Sequence, residues 1–311
     1  MKPLIRFTKH IVWRLAPGFY ERIVKSKPPQ RFSIALFVGD DIANLRPSPH
    51  VSCPVLTFKD VTDLPASFVA DPFMVHSGGR WHMFFEAMDE IVGLGRVCHA
   101  TSTNLRDWSY QGIVLKERFH LAYPYVFSYM NEFYMIPDSP GNGIRLYKAT
   151  DFPRKWSLVV QVREDNEYSD SSIFWDSNSW WLFTAWAPDK CTPKCLRLFY
   201  SDSLMSGWQE HPKSPVVKTD GKSVRPAGSV RRLRDGRLIR FAQEGKNFYG
   251  ECVRAVEIEK LDRSSYTEMN GQHPILQAGA ESWRTGGMHH IDAHYVDDQL
   301  VCCVDGWCAY D

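Results

Sequence analysis

The stretch Asp71-Pro-Phe-Met-Val-His-Ser-Gly-Gly-Arg-Trp-His-Met-Phe-Phe-Glu86 has the pattern of two antiparallel strands joined by a tight turn. An apolar strand around Phe73 to Val75 leads into Ser77-Gly78-Gly79, and an aromatic-rich strand follows from Trp81 to Phe85. A glycine pair between two such segments is a strong short-range signal for a hairpin. The phrase recurs in four further copies, which begin at Tyr123, Asp170, Arg225 and His290.

A third and a fourth strand trail several of these copies. After the first three, a strand is followed by a polar turn and a further strand carrying an aromatic residue, at Trp108, Trp156 and Trp208. The copies begin 47 to 65 residues apart. Four short strands per unit at this period are typical of a propeller blade, so five units predict an all-β, five-bladed β-propeller with a short N-terminal helical segment. Solenoids also contain repeats, but theirs are shorter and often helical.

A ring of blades needs a strand to close it. The apolar run from Phe32 to Val38 comes too early for the first blade, and the last blade has few strands of its own after Asp305. We therefore predict that residues 32–38 complete the last blade. The predicted organisation is a basic N-terminal segment, residues 1–30, followed by a single propeller domain, residues 31–311.

The composition excludes several classes of function. A net charge of +1 gives no global field of the kind that attracts nucleic acid. The eight cysteines lack the spacing of zinc ligands, so we interpret them as free thiols in a reducing compartment. No secretory signal is visible, nor any run of about 20 apolar residues that would span a membrane. We expect a cytoplasmic protein, with membrane association through its N-terminal segment as one option.

Residues 1–30 carry seven lysines and arginines against one acid, Glu21. Apolar residues from Leu4 to Leu15 lie between the charges at roughly helical spacing, which predicts a basic amphipathic helix. Such a helix suits peripheral contact with an anionic membrane face. It equally suits packing against the propeller with the basic face in water. Pro17-Gly18 and Pro28-Pro29 are expected to end the segment.

The first residue of every copy falls on the strand nearest the propeller axis. These residues are Asp71, Tyr123, Asp170, Arg225 and His290. Acids, an arginine and a histidine are costly at such inner positions unless they are paired or hydrated. One interpretation is an axial plug of ion pairs that only stabilises the ring. The other, which we favour, is a functional site at the mouth of the central funnel.

Several motifs resemble those of known propellers. Ala70-Asp71-Pro72, followed by Trp81-His-Met-Phe-Phe85, resembles the first blade of the five-bladed glycoside hydrolases of family forty-three and their clan. Phe119-His-Leu-Ala-Tyr-Pro-Tyr-Val-Phe127, Arg225-Pro-Ala-Gly228 and Gly287-Met-His-His-Ile-Asp292 resemble the propeller domain found at the N-terminus of plant glucosamine inositolphosphorylceramide transferases and in bacterial relatives. The resemblance spans about residues 32–307.

The hydrolase resemblance implies an inverting mechanism with an aspartate of blade one as general base, an aspartate of blade three that tunes pKa values and a glutamate of blade four as general acid. Asp71 matches the base and Asp170 matches the tuning residue, but Arg225 stands where the acid is expected. Arginine does not donate a proton at working pH. Three acids that end or follow second strands are candidates to replace it: Glu86, which joins Asp71 and Asp170 in the predicted catalytic set, Asp138 and Glu244.

Arg225 is well suited to hold a phosphate or carboxylate through two parallel hydrogen bonds, with His289 or His290 as a further donor. A phosphate leaving group needs little protonation, so a glycosyl donor that carries phosphate would explain the missing acid. Asp71 would then deprotonate an acceptor hydroxyl instead of a water molecule. This hypothesis predicts that Arg225→Ala abolishes donor use and leaves the fold intact.

The remaining candidate contacts lie on the same inner strands. Tyr123 and Tyr125 share a strand face toward the axis and suit stacking on sugar rings. His290, Asp292 and Asp71 are able to hold a divalent cation, although a core histidine is the commoner role for such a side chain. No other cofactor is indicated. The predicted substrate-binding set is Tyr123, Tyr125, Arg225, His289, His290 and Asp292.

Together these patterns favour a carbohydrate-active enzyme, and within that class a glycosyltransferase that uses an activated sugar with a phosphate or nucleotide leaving group. The expected partners are a sugar donor and a glycan or glycolipid acceptor, the latter at a membrane surface near residues 1–30. Two alternatives stay open. One is an inverting glycoside hydrolase with a displaced general acid, and the other is a non-catalytic propeller that binds glycans.

Overall fold

The computed structural model describes residues 2–16, 20, 30–165, 167–188, 193–218, 223–269 and 273–309. Five antiparallel sheets surround a common axis, so the predicted five-bladed propeller is confirmed. One α-helix, Lys2–Leu15, precedes them within the described residues, also as predicted. The Pro17-Gly18 and Pro28-Pro29 positions that were expected to end this segment lie outside the described residues, as does Cys191.

Blades one to three run in chain order from the axis outward. Blade one contains Ala66–Ser77, Arg80–Asp89, Leu94–Ser102 and Ser109–Leu115. Blade two contains Ala122–Tyr129, Glu132–Asp138, Ile144–Asp151 and Lys155–Arg163. Blade three contains Tyr168–Asp176, Ser179–Trp186 and Cys195–Ser201, with Gln209–Glu210 and Val217–Lys218 along its outer edge.

Blades four and five depart from this regular pattern. Blade four has a split inner strand, and its members are Arg225–Pro226, Arg231–Arg232, Leu238–Glu244, Cys252–Asp262, Ser265–Glu268 and Pro274–Gln277. Blade five contains Ile291–Val296, Gln299–Ala309, Gln30–Gly39 and Arg46–Pro47. A short 3-10 turn, Ile42–Asn44, joins the last two of these strands, and a second, Phe58–Asp60, lies in the connection from blade five to blade one.

The N-terminal strand closes the ring as predicted for residues 32–38. Gln30–Gly39 pairs antiparallel with Gln299–Ala309, placing Phe32 opposite Trp307. The first and last parts of the propeller are thereby held in one sheet by backbone hydrogen bonds. Both faces of this strand are buried, with Ile34 and Leu36 in one apolar cluster and Ala35 and Phe37 in another. A slip of one residue would exchange the two sets of side chains, so their packing fixes the register.

Buried apolar side chains fill the spaces between neighbouring blades. Phe73, Tyr125 and Phe199 belong to one cluster that extends from blade one to blade three. Ile34, Met74 and Phe85 belong to another, which joins the closing strand to blade one. Full burial of such a side chain contributes about 1.5–3 kcal/mol to stability, so these clusters set the blades in place around the axis.

The inner strands of the first three blades share a backbone irregularity at the first residue of each sequence copy. Asp71, Tyr123 and Asp170 have φ values of 54°, 44° and 49°, in the left-handed region that non-glycine residues seldom adopt. The pairing register shifts at the same points. A bulge of this kind re-aims a side chain. In each of these three blades the repeat therefore places one irregular position at the same level of the funnel.

Gly228 occupies the corresponding region of blade four. Its φ is 147°, and a Cβ atom there would lie 1.7 Å from the carbonyl oxygen of Ile291 in blade five. The amide of Ile291 donates to the carbonyl of Ala227 at 2.8 Å. Only glycine permits this close approach, which holds the inner edges of blades four and five together.

Candidate functional site

A cavity of about 250 Å³ lies at one end of the inner strands of blades one to four. Its polar lining consists of Asp71, Glu86, His120, Asp138, Ser169, Arg225 and Tyr249. It thus contains all three kinds of group that the sequence suggested for the chemistry: a base, acids and an arginine. A larger cavity of about 520 Å³ lies between blades five and one, and its lining includes no residue of the predicted site.

Asp71 has one oxygen held by the backbone and one directed toward two histidines. Oδ2 accepts a hydrogen bond from the amide of Tyr123 at 3.2 Å. Oδ1 lies 4.0 Å from Nε2 of His289 and 3.6 Å from Nδ1 of His290. Burial raises the pKa of Asp71 to about 7, against the charge of His289, which acts to lower it. A carboxyl with this pKa exchanges a proton readily at neutral pH.

Asp305 holds His289 in its orientation. Nδ1 of His289 lies 2.7 Å from Oδ1 of Asp305, and Oδ2 of Asp305 accepts the amide of Asp71 at 2.9 Å. The imidazole also stacks on Phe32, with the ring centroids 4.4 Å apart. Burial works to lower the pKa of His289, but the carboxylate of Asp305 outweighs it and the pKa is raised. The result is a buried chain of Asp305, His289 and Asp71, in which Nε2 of His289 faces Asp71.

His290 lies near the same oxygen of Asp71 as His289 does. Its Nε2 is 3.0 Å from the carbonyl oxygen of Pro72, which can only accept, so Nε2 carries the proton. Burial lowers the pKa of His290 to about 4, which keeps the ring neutral. Its Nδ1 is buried without a hydrogen-bond partner among the described residues. That atom lies 3.6 Å from Oδ1 of Asp71.

Arg225 is tied to Asp170 across the boundary between blades three and four. Nε of Arg225 donates to Oδ2 of Asp170, and the carbon of the guanidinium lies 5.2 Å from the ring centroid of Tyr249. Burial works to lower the pKa of Arg225, but Asp170 overcomes it and the pKa is raised well above its usual value. Among the described residues, this is the one side-chain hydrogen bond that Arg225 makes. Its two terminal amino groups are therefore available to a ligand in the cavity.

Asp138 and Glu86 supply protonated carboxyls to the same cavity. Burial, together with the charge of Asp170, raises the pKa of Asp138 to about 8. Burial raises the pKa of Glu86 well above its usual range, with Asp71 and Asp138 adding to the effect. Below these pKa values each group is a neutral hydrogen-bond donor, and each is able to deliver a proton.

The environment of Glu86 depends on Gly95 and His120. The amide of Gly95 donates to Nδ1 of His120 at 2.9 Å, so the ring proton resides on Nε2, which lies 3.4 Å from Oε1 of Glu86. That oxygen makes no hydrogen bond to a described residue. A Cβ atom on residue 95 would come within 2.2 Å of the carbonyl oxygen of Leu121 and within 2.5 Å of Oε1 of Glu86. The glycine lets these groups meet at the cavity wall.

Aromatic rings lie beside the cavity on a loop of blade four. Tyr249 lines the cavity and is 42% exposed, and the neighbouring Phe248 is 46% exposed. Tyr249 packs edge-on against His289, with centroids 5.2 Å apart. Partly exposed rings of this kind offer flat faces on which a sugar can stack.

The tyrosines predicted to stack on sugar are enclosed by protein. The hydroxyl of Tyr123 contacts Oγ of Ser172 at 2.9 Å and accepts the amide of Gly228 at 2.6 Å. The ring of Tyr125 stacks on Phe73, with centroids 4.9 Å apart. Both side chains are buried and neither lines the cavity. Their contacts hold the inner strands together, and the ring faces are occupied by neighbouring side chains.

Asp292 is likewise committed to structural contacts. One oxygen accepts from Ser229 at 2.6 Å and from Arg231 at 2.9 Å. The other accepts from the amide of Met74 at 2.9 Å and lies 2.6 Å from Nε2 of His294. Both oxygens thus have protein partners, and Asp292 does not line the cavity. Glu244, the third candidate acid, lies outside the cavity lining as well and pairs with Arg254.

The structure does not form the cation site suggested at His290, Asp292 and Asp71, because both carboxylate oxygens of Asp292 already bind protein groups. Ligand atoms of Asp71, His289 and Asp305 do lie within 4.8 Å of one another. Both oxygens of Asp305 accept hydrogen bonds from nitrogen, which explains this proximity without an ion. Two uncommitted atoms, Oδ1 of Asp71 and Nε2 of His289, are fewer than a protein metal site normally provides. We assign no metal to these residues.

Sequence reasoning did not place Asp305, His120 or Tyr249 in the site. Asp305 had a detectable signal, because it is the last residue of the fifth copy, just as Glu86 and Asp138 are the last residues of the first and second. His120 and Tyr249 lie in connections between strands, where no periodic pattern marks a position. Their contribution follows only from the three-dimensional arrangement of the loops.

Comparison with known proteins identifies a family for most of the chain. Residues 33–307 match the family model described as glucosamine inositolphosphorylceramide transferase 1, N-terminal. The relative of that name from Oryza sativa subsp. japonica is 35% identical over 269 residues, covering 82% of this chain and 36% of the relative. The relative from Arabidopsis thaliana is 30% identical over 298 residues, covering 88% and 39%. The chain thus spans little more than a third of the length of these relatives.

Solved structures share the fold at low sequence identity. A putative glycoside hydrolase from Bacteroides ovatus superposes with a TM-score of 0.61 at 13% identity, covering 87% of this chain and 96% of the other. The α-L-arabinofuranosidase from Podospora anserina gives a TM-score of 0.57 at 14% identity, covering 78% and 91%. A thermostable family-43 glycoside hydrolase gives 0.56 at 15% identity, covering 78% and 90%. These matches show the propeller architecture that the motifs around Asp71 led us to expect.

Proposed function

The chain belongs to the glucosamine inositolphosphorylceramide transferase 1 N-terminal family, and from this premise we propose that it is a carbohydrate-active enzyme that transfers a glycosyl group from an activated sugar, with Asp71 as general base. One observation carries the proposal. A single cavity holds Asp71, with a pKa of about 7, and the uncommitted terminal amino groups of Arg225. These are a base for an acceptor hydroxyl and a clamp for an anionic leaving group.

The name of the relatives supplies the substrate class for this proposal. It combines an amino sugar, glucosamine, with a phosphate-bearing lipid, inositolphosphorylceramide. We propose a sugar donor with a phosphate or nucleotide leaving group and a glycolipid acceptor for this chain as well. Because the chain covers only 36% of that relative, both substrates are part of the proposal and are tested with it.

In the proposed step the acceptor hydroxyl gives its proton to Oδ1 of Asp71. The acceptor oxygen forms a bond to the anomeric carbon, and the bond from that carbon to the phosphate oxygen breaks. The electron pair leaves on the phosphate, where Arg225 provides two N–H donors for the accumulating charge. His289 stabilises ionised Asp71 through its positive charge, and Asp305 fixes the direction of the ring.

Protonated Asp138 and Glu86 make an anionic ligand tolerable in this cavity. With both groups ionised, three carboxylates, those of Asp71, Glu86 and Asp138, would line the cavity against one guanidinium that is already paired with Asp170. Burial raises both pKa values, so near neutral pH these two side chains are uncharged. They then donate hydrogen bonds to sugar hydroxyls or to phosphate oxygens.

A second candidate function, inverting hydrolysis, is favoured by the same two acids. A glycosidase needs a carboxylic acid that still holds its proton at working pH, and Asp138, with a pKa of about 8, meets this requirement. Arg225 cannot fill that role. In this version Asp71 deprotonates a water molecule, and Asp138 or Glu86 protonates the oxygen of the leaving sugar.

One experiment separates these functions from plain glycan binding. The purified chain is incubated with sugar phosphates or nucleotide sugars, with and without an inositol-containing acceptor, and separately with oligosaccharides in water. A transferase forms a coupled product, seen by mass spectrometry, only when donor and acceptor are both present. A hydrolase releases reducing sugar from an oligosaccharide alone. Glycan affinity without either product would overturn both enzymatic proposals.

A further inference from the structure

The helix Lys2–Leu15 presents apolar side chains to solvent instead of to the propeller. Ile5 is 51% exposed, Ile11 is 40% exposed and Leu15 is 80% exposed. At about 100° per residue these three side chains fall, with Val12 between them, within one arc of about 120° on the helix surface. An apolar stripe is normally the buried face of a surface helix. Here it points away from the protein.

The opposite side of the helix faces blade one. Trp13 shares a cavity of about 370 Å³ with Phe58, Leu64 and Ala66. The guanidinium of Arg6 donates to the carbonyl oxygen of Val92 at 3.4 Å. The helix is therefore attached to the propeller by its Trp13 side, and this attachment leaves the Ile5, Ile11 and Leu15 stripe uncovered by the described residues.

Charge on the helix indicates what covers the stripe. The helix contains four lysines and arginines and no acid. By helical spacing, Lys9 lies to one side of the apolar stripe and Arg14 to the other. Long cationic side chains that flank an apolar stripe reach lipid phosphates while the stripe enters the acyl boundary.

The helix lies close to the cavity of about 250 Å³ that Asp71 lines. It donates a hydrogen bond to Val92 and shares a cavity with Ala66, at the end of the blade-one sheet where Ala66 pairs with Asp89. Phe68 and Met88, close to that end of the same two strands, line the cavity. The helix and the Asp71 cavity therefore lie at the same end of blade one.

We propose that the helix Lys2–Leu15 docks the protein on an anionic lipid bilayer through Ile5, Ile11 and Leu15, flanked by Lys9 and Arg14, and thereby presents the Asp71 cavity to the headgroup of a lipid acceptor. The orientation toward an acceptor rests on the proposed function, whereas the docking surface does not. Within the described residues no helix is long and apolar enough to cross a bilayer, so the helix is proposed to lie in the interface.

The test is flotation of the full chain with vesicles of phosphatidylcholine, alone or with about 30% phosphatidylserine. We expect at least about tenfold more binding to the anionic vesicles, and less as salt is raised. The variant Ile5→Asp/Ile11→Asp/Leu15→Asp and the variant Lys9→Glu/Arg14→Glu should both fall to the level seen with neutral vesicles. Met130→Asp is the matched control, because Met130 is a 76% exposed apolar residue on a turn of blade two.

Three outcomes would overturn the proposal. The first is equal binding to neutral and anionic vesicles, and the second is wild-type binding by both helix variants. The third is a dimer in light scattering that dissociates in the apolar variant, which would assign the stripe to a second copy of the chain. Turnover of a water-soluble acceptor separates this proposal from the enzymatic one. If the helix variants lose vesicle binding but convert this acceptor at the wild-type rate, the docking proposal is supported. If the wild type binds vesicles but neither it nor any variant converts the acceptor, only the proposed function is overturned.

Discussion

Nε of Arg225 donates a hydrogen bond to Oδ2 of Asp170, and this pair joins blade four to blade three beneath the cavity. Asp170 is only 2% exposed. Removing its partner would leave a buried carboxylate unpaired, which costs about 3–5 kcal/mol. The pair therefore changes the expectation that Arg225→Ala leaves the fold intact, because loss of donor binding and loss of stability should occur together.

We predict that Arg225→Ala lowers the free energy of unfolding by about 3–5 kcal/mol, and that adding Asp170→Asn restores about half of the loss because the unpaired charge is removed. Binding of a sugar phosphate should be lost in both variants. Urea denaturation and calorimetric titration measure the two effects separately. Arg232→Ala is the control: its pair with Asp176 is about half exposed on the arginine side and should contribute less than about 1 kcal/mol. Wild-type phosphate affinity in the double variant would contradict the role of Arg225.

A second prediction concerns His289 and the pH dependence of turnover. The positive charge of His289 lowers the pKa of Asp71, which burial has raised to about 7. Without that charge the pKa of Asp71 rises, so the acid limb of the kcat/KM profile of His289→Gln should move to higher pH by on the order of one unit. His76→Gln, at an exposed position in the same blade as Asp71, is the control. An acid limb that stays in place would show that His289 does not act on the base.

A third prediction concerns Asp138 and the pH dependence of stability. Its pKa is about 8 in the folded protein against an ordinary value of 3.8. The folded state therefore binds the proton more tightly, and this contribution to stability is fully present below about pH 4 and is lost as pH rises through about 8. Asp138→Asn stays uncharged, so it should exceed the wild type in stability above pH 8 by on the order of 1 kcal/mol. Thermal unfolding at pH 5 and pH 9 measures this, and a parallel loss at both pH values would contradict it.

The architecture could be predicted from the sequence because the repeat is a local pattern. A strand, a turn and an aromatic-rich strand recur around Asp71, Tyr123 and Asp170, and this repeat can be recognised although the loops between the copies differ. The closing strand could be predicted in the same way, because the apolar run from Phe32 to Val38 needed a sheet to join and the last blade was short of a strand. Strands of this kind bury one or both faces, and burial sets their register.

The site was less accessible to such reasoning, because a repeat start fixes a level in the funnel but not the direction of a side chain. Tyr123 and Asp71 occupy the same position of the repeat and the same left-handed conformation, yet one ring fills the core and one carboxyl lines the cavity. The sequence predicted that Asp292 binds substrate, but its four hydrogen-bond partners in the structure come from three different blades. Tyr249 reaches the cavity on a loop with no pattern at all.

A fourth prediction tests the junction between blades four and five. Gly228→Ala would place a Cβ atom 1.7 Å from the carbonyl oxygen of Ile291, so the inner strands must separate. We expect a loss of more than about 3 kcal/mol, at the upper end of single substitutions. Gly236→Ala is the matched control, because Gly236 also has a positive φ but has no atom within 4 Å of the added carbon. It should cost only about 1–2 kcal/mol of backbone strain. Equal losses in urea denaturation would show that the contact with Ile291 is not limiting.

The most direct test of the central claim compares wild type with Asp71→Asn at neutral pH, using calorimetry for ligand binding and mass spectrometry for product. Asparagine keeps the shape of the side chain and can still accept the amide of Tyr123, but it takes up no proton. We predict affinity for the sugar ligand within about threefold of wild type and a rate of product formation lower by about 10²–10⁴-fold. Turnover by Asp71→Asn within about tenfold of the wild-type rate would contradict the assignment of Asp71 as the base.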